Sequence, residues 1–248
     1  MRSVTLIGLL AAIFLTHSAW ADKVRVAVAS NFLATAKQLA QDFQTRTPHQ
    51  LALSAASSGK FYAQIRQGAP YDLFLSADAE RPQRLFREGV GNKPPVTYAI
   101  GQLVLWHPEA SQAVDQTSLE QLSHQRLALA NPRVAPYGLA AQQLLQQMGL
   151  WQKLQAGLVR GENVSQAFHY VRSGNVDMGL VALSQVKTMA IPEAQWWQVP
   201  AERYTPIEQQ ALLIQDNAPA QAVWQYLQSP EARAIIQHNG YALANIGE

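Results

Sequence analysis

The sequence predicts an α/β protein with mainly parallel sheets, and three observations predict it. Short apolar runs alternate with amphipathic stretches along most of the chain, the order that stacks helices on sheets. Small polar residues stand where four of these strands or loops hand over to a helix. No repeat or low-complexity tract interrupts the pattern.

Taken in order, Val24-Arg25-Val26-Ala27-Val28 alternates with period two and reads as a strand. Leu33 to Thr45 follows as a helix, with Pro48 beyond it, and Leu51 to Ser54 is the second strand. A short helix spans Gly59 to Gln67, Asp72 to Leu75 is the third strand, and a helix from Glu80 to Glu88 stops at Gly89. A second set begins at the strand Leu103 to Trp106. It continues with the strand Leu127 to Ala130, the helices Gly138 to Met148 and Ser165 to Arg172, and the strand Met178 to Val181. The strand Gln210 to Ile214 and a mostly helical stretch, Ala218 to Asn239, close the chain. Pro94-Pro95 and the stretch from Pro200 to Pro206 are the clearest breaks in composition. They bracket a middle block, which suggests a discontinuous first lobe of residues 22–100 and 208–248 with residues 101–207 inserted as a second.

At the N-terminus, Arg2 precedes an apolar run from Leu6 to Leu15 that is too short to span a bilayer. Ala19-Trp20-Ala21 then supplies the small-x-small pattern of a signal peptidase site, so residues 1–21 are expected to be an export signal cleaved before Asp22. The 227 or so residues left, roughly, allow one large domain or two small ones. Nineteen basic and 17 acidic residues give a charge of +2, and loss of Arg2 with the leader leaves +1. That balance argues against a nucleic-acid partner, which would want a basic face. The chain has no cysteine, which removes disulfides, thiolate catalysis, Cys-ligated zinc and lipid attachment at an N-terminal Cys.

The four junctions are Ala29-Ser30-Asn31, Ala56-Ser57-Ser58-Gly59, Ala135-Pro136-Tyr137-Gly138 and Glu162-Asn163-Val164-Ser165. A helix start exposes unpaired N–H groups and the positive end of a dipole. Several converging on one cleft bind an anion without lysine or arginine. Singly, each is also what an ordinary N-cap looks like. Gly59-Lys60 is not a phosphate loop, because Ser54 and Phe61 stand where that motif needs Gly and Ser or Thr. Catalytic signals are thin. There is no G-x-S-x-G elbow, and His49, His107, His124, His169 and His238 show no metal-ligand spacing. Asp72 and Asp78 read as caps at a strand end and a helix start, and Trp196-Trp197 as core packing or an apolar surface ledge.

At these residues the chain resembles the molybdate-binding proteins of ABC importers, which have the type II periplasmic binding protein fold. The markers are Ala29-Ser30-Asn31-Phe32, Ala56-Ser57-Ser58-Gly59 and the run from Gly68 to Asp78 (Gly-Ala-Pro-Tyr-Asp-Leu-Phe-Leu-Ser-Ala-Asp). Asn131-Pro132, Ala135-Pro136-Tyr137-Gly138, Glu162-Asn163-Val164 and Gly179 to Ser184 follow in the family's order. The resemblance implies two α/β lobes joined by a hinge, a molybdate or tungstate ion held between them by neutral donors, and no catalysis and no cofactor; the alternatives are a protein of the same fold for another small oxyanion such as sulfate or phosphate, or an exported α/β enzyme. It also implies a periplasmic location, a monomer, and delivery of the ion to the membrane permease of an ABC importer. Carried over by position, the first lobe would offer Ser30, Asn31 and Ser58, and the second the backbone N–H groups of Tyr137 and Val164. One branch of the family has a donor tyrosine where this chain has Ala182, and serine where it has Asn31. The expectation is therefore that Ser30-Asn31 replaces the missing donor, with Asn31 acting either through its side-chain amide or through its backbone alone.

Overall fold

The computed structural model describes residues 23–122 and 126–244. The expected export signal, its cleavage site before Asp22, and His124 lie outside the described residues.

Two five-stranded sheets form the frame. The first contains β1 (Lys23–Ala29), β2 (Gln50–Ala56), β3 (Leu73–Leu75), β4 (Val96–Gly101) and β10 (Ile207–Leu213) in the order β2-β1-β3-β10-β4. The second contains β5 (Leu103–Trp106), β6 (Leu127–Ala130), β7 (Leu158–Gly161), β8 (Met178–Ala182) and β9 (Trp196–Gln198) in the order β7-β6-β8-β5-β9. β1 lies parallel to β2 and β3, while β10 opposes both β3 and β4. Likewise β6 is parallel to β7 and β8, while β5 opposes β8 and β9. In each sheet, then, four strands run one way and one opposes them. The opposing strand is the one on which the chain arrives from the other lobe, since β5 follows β4 and β10 follows β9.

Helices cover both faces of the first sheet because its strands are apolar on both sides. Val24, Val26 and Val28 point to one face and pack with α1 (Leu33–Arg46), α8 (Ala218–Leu227) and α9 (Pro230–His238). Ala27, Phe74 and Leu212 point to the other and meet α2 (Ser58–Arg66) and α3 (Glu80–Arg87). α1 buries Thr35, Ala36, Leu39, Ala40 and Phe43, the spacing of one helical stripe. In the second lobe α5 (Pro136–Gln147) and α6 (Val164–Arg172) pack on a sheet whose β6 and β8 are wholly buried. Each such Leu, Val or Phe contributes about 1.5–3 kcal/mol on leaving water.

Several elements were not evident from pattern. β7, β9, α4 (Gln116–Glu120) and α7 (Leu183–Thr188) are short, and the six-residue β4 directly follows the Pro94-Pro95 break. The helical stretch 218–239 is divided in two at Ser229-Pro230. Pro230 cannot continue α8, and it opens α9 while Ser229 Oγ accepts the Ala232 N–H at 3.2 Å. Trp196 and Trp197 lie on the edge strand β9 beside Trp106 and Leu105, half-buried against the second core.

Candidate functional site

Four helix starts meet where the lobes face each other. The cleft is lined by Ala29, Ser30 and Asn31 at the 3-10 turn before α1, Ser57 and Ser58 at α2, and Ala77 after β3. From the second lobe come Ala135, Pro136 and Tyr137 at α5 and Asn163 and Val164 at α6. The structure thus brings all five residues expected from sequence, Ser30, Asn31, Ser58, Tyr137 and Val164, into one cavity. It measures about 10 Å³, close to the space one water needs.

The local sequence explains which donors are free. At α2, Ser57 is the N-cap and its Oγ accepts the Lys60 N–H at 3.3 Å. Ser58, 1 % exposed, accepts the Ala77 N–H at 2.9 Å on its own Oγ, which leaves its O–H proton to donate. The next N–H, at Gly59, bonds Val134 O of the opposite lobe at 3.0 Å. At α5 the N-cap is Ala135, with no side chain to offer, and Pro136 has no N–H. Tyr137 therefore carries the first free N–H, while those of Gly138 and Leu139 already bond Ala135 O. At α6, Asn163 Oδ1 takes the Gln166 N–H at 3.0 Å, which leaves the Val164 N–H without a protein acceptor among the described residues.

Of the two ways in which Asn31 could act, its side chain is turned to other partners. Its amide nitrogen donates to Gln209 Oε1 at 3.0 Å and to Tyr241 Oη at 3.1 Å, so both of its N–H groups are committed away from the cavity. Its carbonyl accepts from Tyr241 Oη at 2.9 Å and from Ser184 Oγ of the second lobe at 3.2 Å. Tyr98 Oη donates to Gln209 Oε1 at 3.2 Å and completes the network. What Asn31 can still offer an anion is its backbone N–H. Gln209, Tyr98, Tyr241 and Ser184 were missed from sequence. The one available signal was the polar run Glu208-Gln209-Gln210 at the start of strand β10, two of whose members are buried. Ala182, fully buried in the second core, does not line the cavity.

Electrostatics follow from the lining, which contains no charged residue. Burial holds the Tyr98, Tyr137 and Tyr241 hydroxyls well above the usual phenol range, so none puts a negative charge behind the site. Asp72 is tied to the Arg25 N–H at 2.7 Å and to its guanidinium, and Asp78 accepts the Arg81 N–H at 2.9 Å. Both serve as caps. Among the described residues no cluster of His, Asp or Glu could hold a metal ion. A small cavity ringed by neutral donors suits an anion with many acceptor oxygens.

Comparisons with known proteins agree in size and shape. The family model for bacterial extracellular solute-binding proteins matches residues 24–242. The molybdate-binding protein ModA of Azotobacter vinelandii is 40% identical over 96% of this chain and 97% of its own length. ModA of Rhodobacter capsulatus is 39% identical over 89% of this chain and 88% of its own. The structure of the Azotobacter vinelandii periplasmic molybdate-binding protein superposes with a TM-score of 0.85 at 39% identity, covering 89% of this chain and 99% of that one.

Proposed function

The chain belongs to the family of bacterial extracellular solute-binding proteins, and from that premise we propose that it captures molybdate between its lobes and delivers it to the permease of an ABC importer. The single observation that carries this reading is a charge-free cavity formed by four helix starts, in a chain 40% identical to a molybdate-binding protein. The ligands are the hydroxyls of Ser30 and Ser58 and the backbone N–H groups of Asn31, Ser58, Tyr137 and Val164. The protein works in the periplasm as a monomer, released from its leader after Ala21, and it binds tungstate as well as molybdate. It is a carrier without a cofactor, and nucleic acid is not a partner.

The donor set decides which anion is held. A site with no acceptor suits a fully ionised tetrahedral dianion. Phosphate carries a proton near neutral pH, and burying that O–H without an acceptor costs about 1–3 kcal/mol. Sulfate passes the charge test and is rejected by size, because its shorter bonds leave its oxygens short of several donors at once. Tungstate matches molybdate in both charge and shape.

A thermal-shift panel of oxyanions tests this. An anion at 100-fold excess over its Kd stabilises the fold by about 2.7 kcal/mol, which raises the melting temperature by several degrees. Molybdate and tungstate should do so, while sulfate and phosphate at equal concentration should not. An equal shift with sulfate would replace the proposed ligand, and no shift with any oxyanion would end the reading.

A further inference from the structure

Glycine at position 59 is not demanded by the backbone of its own lobe. It is the second residue of α2, it lies outside the left-handed region, and alanine is the better helix former there. What an added Cβ would meet lies across the cleft. Beyond its own helical turn, the three nearest atoms would be Val134 O at 2.9 Å, Val134 Cα at 3.0 Å and Val134 Cβ at 3.1 Å. Two of these are backbone atoms, and that backbone is braced. Val134 N–H bonds Asn131 O at 3.2 Å, Arg133 N–H bonds Asn131 Oδ1 at 3.1 Å, and Asn131 N–H bonds Gly161 O at 2.7 Å. The turn therefore cannot yield without disturbing β6 and β7.

The Gly59 N–H bonds Val134 O at 3.0 Å. Away from the two places where the chain crosses between lobes, this is the only main-chain bond joining them among the described residues. Elsewhere across the cleft Ser165 Oγ donates to Ser30 O at 3.0 Å and Ser184 Oγ to Asn31 O at 3.2 Å, while the contacts beside Gly59 are weaker. Arg81 Nη2 reaches Arg133 O at 3.4 Å, and Lys60 and Glu162 pair at 3.9 Å on the exposed rim. Gly59 also sits next to Ser58, and Val134 two residues before Pro136 at the start of α5. The distance between these backbones sets how near the α5 donor comes to the α2 donors.

We propose that Gly59 is a positioning residue for oxyanion capture, its missing side chain setting how far the lobes close. This rests on the proposed function, since it concerns the same cavity. A methyl group at position 59 keeps Val134 back, stretches the hydrogen bonds from one lobe while those of the other hold, and lets the anion leave sooner.

The experiment compares the parent chain with Gly59→Ala in three measurements. These are melting temperature without oxyanion, molybdate affinity and dissociation rate, and the contraction on adding molybdate seen by small-angle scattering. The variant should melt at or above the parent without oxyanion, bind molybdate at least ten-fold more weakly through faster dissociation, and contract less. Native affinity with full contraction would overturn the inference. So would a variant that melts well below the parent without oxyanion, because the glycine would then serve its own lobe's fold. Failure of the parent chain to bind molybdate would instead strike the proposed function, which separates the two.

Discussion

Ser57 and Ser58 are adjacent in sequence and both are buried, yet they spend their oxygens differently. Ser57 caps α2 through the Lys60 N–H, whereas Ser58 is fixed by the Ala77 N–H and keeps a proton to give. Ser58→Ala should therefore weaken molybdate by about 1.5–3 kcal/mol, roughly 10- to 150-fold, as for a lost hydrogen bond to a charge. Ser57→Ala should cost about 1 kcal/mol of stability and leave affinity near native. Calorimetry giving equal losses of affinity would undo this assignment. Asn31 sets the opposite case. With its amide bound to Gln209 and Tyr241, Asn31→Ala should lower stability by about 1–3 kcal/mol and change affinity less than Ser58→Ala does. A large affinity loss at unchanged melting temperature would restore the side chain as a ligand. Its orientation could not be read from sequence, because its partners are 178 and 210 residues away. Gly59 was legible only as part of a helix-start motif, since its neighbour Val134 belongs to the other lobe.

At the scale of elements, α5 shows how a helix start becomes a donor. Alanine at the cap and proline at the first position remove both usual ways of using the end, and the Tyr137 N–H is left over. The contribution is from the main chain, so the phenol is dispensable. Tyr137 Oη is buried without a hydrogen-bond partner. Tyr137→Phe should hold molybdate affinity within about two-fold, with stability unchanged or raised, because an unpaired buried hydroxyl is itself a cost. A ten-fold loss on titration would show that the hydroxyl takes part. Elements with strong patterns were legible: β5 and β6 have the bounds read from sequence, and α1, α2 and α6 shift by a residue or so at their ends. Those set by long-range pairing were not. β7 has four residues, including Arg160 and Gly161, and is a strand only because β6 lies beside it. Trp196-Trp197 became strand β9 through pairing with β5, which no local spacing announces.

For the whole molecule, two lobes would hold one small dianion with no charged side chain in the lining. It follows that molybdate affinity should stay flat from about pH 7 to 9, where neither serine hydroxyls nor main-chain amides titrate. Stability should be level over the same range and fall only above about pH 10. There the unfolded chain ionises its tyrosines while burial keeps those of the folded protein protonated. A sigmoidal loss of affinity near neutral pH would place a titrating group in the site. The convergence of the four helix starts was legible as a possibility, because each junction carried small polar residues. That they share one cavity is a property of the closed pair of lobes. The most direct test is a crystal of the chain grown with molybdate, with data collected at the molybdenum absorption edge. The account predicts a single anomalous peak inside the cavity. The ion's oxygens should lie about 2.7–3.2 Å from the Ser30 and Ser58 hydroxyls and the main-chain nitrogens of Asn31, Tyr137 and Val164. A peak beside a lysine or arginine on the surface, with the cavity between the lobes empty, would contradict it.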